Sequence, residues 1–201
     1  MDELASRRHD RRYQKDLKAV ALAAAARGWH VFPLHPGTTE PAVRDWVKRA
    51  TTNTWRIVRC WDSGPFNVGI VPCASGLLVL DLVPAGPGEQ PPQPYRLPGV
   101  RDGADVLAVL LDERRARMPG QTYIVDGPGG RLQYYFEHPG DGCPPAVPGP
   151  LAWHVEVRCA GSYVTAAGSV TPDGAYTVGH DASPAKAPGW LTVPAGFDPA
   201  R

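Results

Sequence analysis

At 201 residues, 43% of them hydrophobic, the chain is long enough to bury a core, most naturally as one domain, and disorder throughout is excluded. A formal charge of +1 neither demands nor forbids nucleic acid, so any attraction for phosphate has to come from local patches. The longest apolar run, Ala19 to Ala26, is far short of the roughly 20 residues of a membrane span. Arg7, Arg8, Arg11, Arg12, Lys15 and Lys18 alternate with Asp10 and Asp16 and lead to no clean apolar core, which argues against a signal peptide. The expectation is a cytoplasmic protein with no membrane contact. The cysteines Cys60, Cys73, Cys143 and Cys159 form no C-x-x-C pair and are expected as reduced thiols, and the scattered histidines offer no zinc spacing.

Along the chain, residues 1–12 form a charged tail, and Asp10 to Arg27 reads as a helix, with Leu17, Val20, Ala21 and Ala24 on one face and a stop at Gly28. His30 to Leu34 reads as a strand and Asn53 to Asp62 as a second helix, capped by Thr52 or Asn53, with Trp55 and Trp61 expected in the core. Asn67 to Val71 and Leu77 to Val83 are strands at hairpin spacing. Residues 84–99 hold six prolines and three glycines and are expected to be a flexible loop. A third helix, Ala104 to Met118, buries Val106, Leu107, Leu110 and Leu111. Strands follow at Gln121 to Asp126, Arg131 to Glu137, Trp153 to Arg158, Tyr163 to Ala167 and Ala175 to Val178. These elements predict an α+β fold, a central antiparallel or mixed sheet with helices packed on one side, in a single domain spanning 1–201.

Strand parity then selects the chemistry. Leu78, Leu80 and Leu82 share one face while Asp81 and Val83 share the other; Arg131, Gln133, Tyr135 and Glu137 oppose Leu132, Tyr134 and Phe136; His154, Glu156 and Arg158 oppose Trp153, Val155 and Val157. One face of the sheet thus collects Asp81, Gln133, Glu156, His154, Arg131 and Arg158 into a possible site, although solvated sheet faces carry the same pattern.

The residues Gly28-Trp29-His30-Val31-Phe32-Pro33-Leu34, Asn67-Val68-Gly69-Ile70, Gly76-Leu77-Leu78-Val79-Leu80-Asp81-Leu82, Gly129-Gly130-Arg131-Leu132-Gln133-Tyr134-Tyr135-Phe136, Val155-Glu156-Val157-Arg158, Gly161-Ser162-Tyr163-Val164 and Ala167-Gly168-Ser169-Val170 come in a telling order. That order resembles the N-terminal primase-polymerase domain of bifunctional enzymes in the archaeo-eukaryotic primase superfamily. The resemblance implies templated nucleotidyl transfer on two divalent ions, Mg²⁺ or Mn²⁺, held by an Asp-x-Asp strand and a later acid, with a histidine on the triphosphate. Carried over position by position, it makes Asp81 and Glu156 the catalytic and metal residues, and Gln133, Arg131, Arg158, Asn67 and Ser169 the nucleotide-binding ones.

The motif is degenerate. Its second aspartate falls on Val83, its histidine on Gln133, and the lysine of the early turn on Thr39. Valine offers no lone pair to an ion, and glutamine cannot make the cationic contact of a protonated histidine. Three readings follow: a domain with lost or strongly impaired transfer that keeps a cleft for a nucleotide, a single-stranded or primer-template nucleic acid, or a protein partner; an active polymerase using Asp81 and Glu156 with Glu137 or Asp126 in place of the missing acid; and a regulatory module whose Pro-rich loops, Pro84 to Pro98 and Cys143 to Pro150, make the contacts.

Overall fold

The computed structural model describes residues 16–140 and 149–192. Residues 16–26 form helix α1, with Leu17, Ala21 and Ala24 buried at helical spacing. The expected start at Asp10, the charged tail and the Cys143 to Pro148 part of the second Pro-rich loop lie outside the described residues. Strand β1 (Val31–Leu34) leads through the one-turn helix α2 (Trp46–Arg49) to α3 (Thr54–Asp62). The Asn53 side chain caps α3 by accepting from the Arg56 amide at 3.0 Å. Ile57 and Trp61 are the face that α3 buries, whereas Trp55, expected in the core, is 66% exposed with Arg59 over its ring. Position 55 lies off the 57/61 stripe, so aromaticity alone misplaces it.

The remaining strands are β2 (Asn67–Ile70), β3 (Leu77–Leu82), β4 (Tyr123–Asp126), β5 (Leu132–Glu137), β6 (Gly149–Ala152), β7 (Val155–Arg158), β8 (Val164–Thr165), β9 (Val170–Thr171), β10 (Gly174–Ala175), β11 (Thr177–His180) and β12 (Ala185–Lys186), with helices α4 (Gly103–Glu113) and α5 (Gly189–Thr192). They build a seven-stranded sheet in the order β11-β4-β5-β3-β7-β6, with β12 parallel on β5, and a three-stranded sheet β1-β2-β8. The expected hairpin of β2 and β3 does not form. The short turn Cys73–Ser75 passes the chain from one sheet to the other: both strands are buried along their whole length, β2 between β1 and β8 and β3 between β5 and β7. The thiol expectation is also corrected at Cys73, which is disulfide-bonded, while Cys60 and Cys159 are thiols. Sequence separation says nothing about which sulfurs meet in space.

Strand β3 is buried along its whole length. Its Leu78, Leu80 and Leu82 face pack on Val106, Leu107 and Leu110 of α4, each burial worth about 1.5–3 kcal/mol. On the other face Leu77 and Val79 join Tyr123, Val125 and Tyr135 in a second core with α1, α3 and the three-stranded sheet. The α+β architecture with a mixed sheet is thus established, with α4 on one face of the large sheet and α1 and α3 in the core on the other. Asp81 continues the Leu77/Val79 row, so it stands where the second core gives way to a cleft.

Helix α4 stops at Glu113 rather than Met118, because the run Asp112 to Arg117 has little apolar surface to bury. Its start is fixed by Asp102, whose carboxylate accepts from the Ala104 and Asp105 amides at 2.9 and 3.1 Å. Next to this cap a Cβ on Gly103 would lie 2.1 Å from the His154 carbonyl oxygen, so only glycine lets the helix approach the end of β3. The 84–99 segment holds no helix or strand. Glu89 nevertheless ties it to the turn before β7, accepting from Trp153 Nε1 and pairing with His154 Nε2 at 2.9 Å. Among the described residues no helix is long and apolar enough to cross a membrane.

Candidate functional site: an arginine-clamped carboxylate in a cleft

Register places the polar residues. Asp81 pairs directly with Gln133 on β5 and with Glu156 on β7, and directly opposed residues share a face. Arg158 lies two residues beyond Glu156 on that face. Arg131 is launched from the turn Pro128–Gly130, which needs φ of 69° at Gly129 and 92° at Gly130 and so suits the Gly-Gly pair.

The carboxylate of Asp81, 1% exposed, is clamped. Arg131 donates from Nε to Oδ1 and from Nη2 to Oδ2, both at 2.7 Å, in a bidentate pair. Arg158 donates from Nε to Oδ2 at 3.2 Å and pairs through Nη2 with Glu156. Burial works against the charge of Arg131, but the hydrogen bond and charge of Asp81 outweigh it and hold its proton more firmly than in an ordinary arginine. Burial also raises the phenols of Tyr135 and Tyr163, so both are neutral donors at pH 7.

Asp81, Gln133, Arg131 and Arg158 line a cavity of about 150 Å³ together with Thr39, Tyr163 and Tyr176. It adjoins a larger one of about 720 Å³ that shares Thr39, Arg131 and Tyr176 and runs past Val83, Pro128 and Asp173. The larger volume is in the range of small-molecule sites. Tyr163 and Tyr176 carry no weight in a parity reading; Tyr163 sits inside the Gly161 to Val164 motif, the one signal that could have found it. Its hydroxyl donates to the Thr39 carbonyl at 2.9 Å and holds the early turn over the cleft.

Three of the expected positions fall elsewhere. His154 is not on β7: with φ of 56° it occupies the preceding turn and pairs with Glu89, because the strand begins only at Val155. Asn67 and Ser169 are enclosed and occupied internally. Asn67 donates from Nδ2 to the carbonyls of Thr38 and Val170 and accepts from the Val170 amide, and Ser169 Oγ accepts from the Val68 amide. They hold the loops that wall the cleft.

The donor set does not fit two divalent ions. Both Asp81 oxygens already accept from guanidiniums, Val83 offers no ligand, and the described residues contain no group of three or more metal-ligating side chains. An ion of charge +2 set about 4 Å from one guanidinium meets roughly 8 kcal/mol of repulsion at an effective dielectric constant of about 20. Neither substitute acid is near: Glu137 lies four residues along β5 from Gln133, about 13 Å, and Asp126 pairs with Leu132, on the face away from Asp81.

No curated protein matches the chain. A family model, however, matches residues 21–190, the stretch that contains every strand and every residue of the cleft described above. The chain therefore belongs to the bifunctional DNA primase/polymerase N-terminal family.

Proposed function

We propose that this primase-polymerase family domain has given up efficient nucleotidyl transfer and keeps its cleft as a binding site for a phosphate-bearing ligand, a nucleotide or a nucleic-acid strand. The observation that carries this reading is the clamp on Asp81. The carboxylate that should ligate an ion instead accepts three charge-assisted hydrogen bonds from Arg131 and Arg158. Val83 and Gln133 add to it, since transfer chemistry on two ions needs oxygens at the first position and a cationic contact at the second. Groups that act as a unit in catalysis commonly cost about 10⁴-fold in rate when one is removed.

Positioning is what remains. Arg131, Arg158 and Gln133 supply donors on the sheet side, and the Thr38–Thr39 turn, held by Asn67 and Tyr163, supplies the opposing wall. Primer extension by the purified chain with Mg²⁺ and with Mn²⁺, beside calorimetric titration with nucleoside triphosphates and short single strands, tests the reading. Weak or absent extension with measurable binding is expected. Robust incorporation that Asp81→Ala abolishes overturns it.

A further inference from the structure

We propose that Arg131 and Arg158 are built-in counter-cations, so that the cleft takes the phosphate groups of its ligand directly and without a divalent ion. This rests on the binding role proposed above and specifies its chemistry.

The charge balance is closed. Two carboxylates, Asp81 and Glu156, face two guanidiniums within one hydrogen-bonded group. Within that group no surplus negative charge is left to draw in a divalent cation, and the cations already present are covalently held and cannot be lost to a chelator. Nor are the guanidiniums exhausted. Each has five N–H donors; Arg131 spends two on Asp81, and Arg158 spends one on Asp81 and one on Glu156. Both side chains stay accessible, at 24% and 31%, and Arg131 borders the small and the large cavity alike. A half-satisfied planar fork at the floor of a cleft is a good receptor for phosphate oxygens. Asp81 holds the forks in place from behind, and Glu156, a third exposed and paired with Arg158, is a like charge beside any phosphate that Arg158 takes, as Glu40 and Asp173 are along the wall of the larger cavity.

Signs follow that a metal-dependent site would reverse. Mg²⁺ offsets the phosphate charge that the guanidiniums recognise, so it should weaken binding here. Calorimetry with inorganic triphosphate, a nucleoside triphosphate and a short single strand, each in EDTA and in Mg²⁺, reads this on the wild-type chain. Binding in EDTA is expected to equal or exceed binding in Mg²⁺. Arg158→Gln, which leaves the bidentate Arg131 clamp, should weaken binding about tenfold or more. Glu156→Gln at a partly exposed position should tighten it roughly threefold.

Preference for the triphosphates assigns a nucleotide, and preference for the strand assigns backbone phosphates; both support the proposal. Binding that requires Mg²⁺ and weakens in Glu156→Gln overturns it while leaving a non-catalytic binding cleft intact. No binding of any probe in either condition overturns both.

Discussion

Replacing Arg131 with methionine keeps most of the apolar stem and removes the guanidinium that donates to both oxygens of Asp81. The carboxylate left behind is 1% exposed, so water cannot solvate it without opening the cleft floor. Charge-assisted hydrogen bonds are worth about 1.5–3 kcal/mol each, and breaking a buried pair costs about 3–5 kcal/mol. Two facts pull the value to the low end: Arg158 still donates to Oδ2, and the Arg131 side chain is 24% exposed rather than fully desolvated. A loss of about 3 kcal/mol is expected, or about 6–12 °C in Tm for a domain of this size. Thermal and urea melts measure it, and the cycle with Asp81→Asn isolates the cause. If the stranded charge is what hurts, neutralising Asp81 in the methionine background recovers part of the loss, with a coupling of at least about 1.5 kcal/mol. A single-variant loss under about 1 kcal/mol, additive with Asp81→Asn, would refute the claim that the clamp carries structural weight.

Other perturbations test the surroundings of the site. Gly103→Ala forces its new methyl onto the His154 carbonyl and should cost about 2–4 kcal/mol despite alanine's better helix propensity, measured by urea denaturation; a neutral effect would mean that the α4 contact is looser than described. Val83→Asp with Gln133→His restores the motif's residue types, but Mn²⁺ titration should still show little gain until Arg131 is also replaced, because the guanidiniums keep hold of Asp81. The Glu89 carboxyl sits below its ordinary 4.5, first through the Gly86 amide and then through His154. A lowered folded value means that its contribution is present above about 4.5 and is lost as pH falls through the folded value; Trp153 fluorescence should therefore report release of the 84–99 segment only below about 4.5, and Glu89→Gln should abolish that step.

What the residues determined on their own was local and periodic. Alternation along Leu77 to Leu82, Leu132 to Glu137 and Val155 to Arg158 sorted greasy from polar faces, and the helical rhythm of α1 and α4 marked their buried stripes, because side-chain direction is a property of the backbone period itself. That was enough to bring Asp81, Gln133 and Glu156 into one hypothesis. Whether they meet depends on strand order and register, and these are set by which apolar faces cover one another across the whole chain. Tertiary structure alone put β2 and β3 in different sheets, moved His154 onto a turn, used up Asn67 and Ser169 inside the walls, and added Tyr163 and Tyr176 to the cleft. It also decided the charge pairing of the site. Two arginines read as possible phosphate ligands turn out to grip the carboxylate first, a pairing fixed by distances that no one-dimensional pattern encodes.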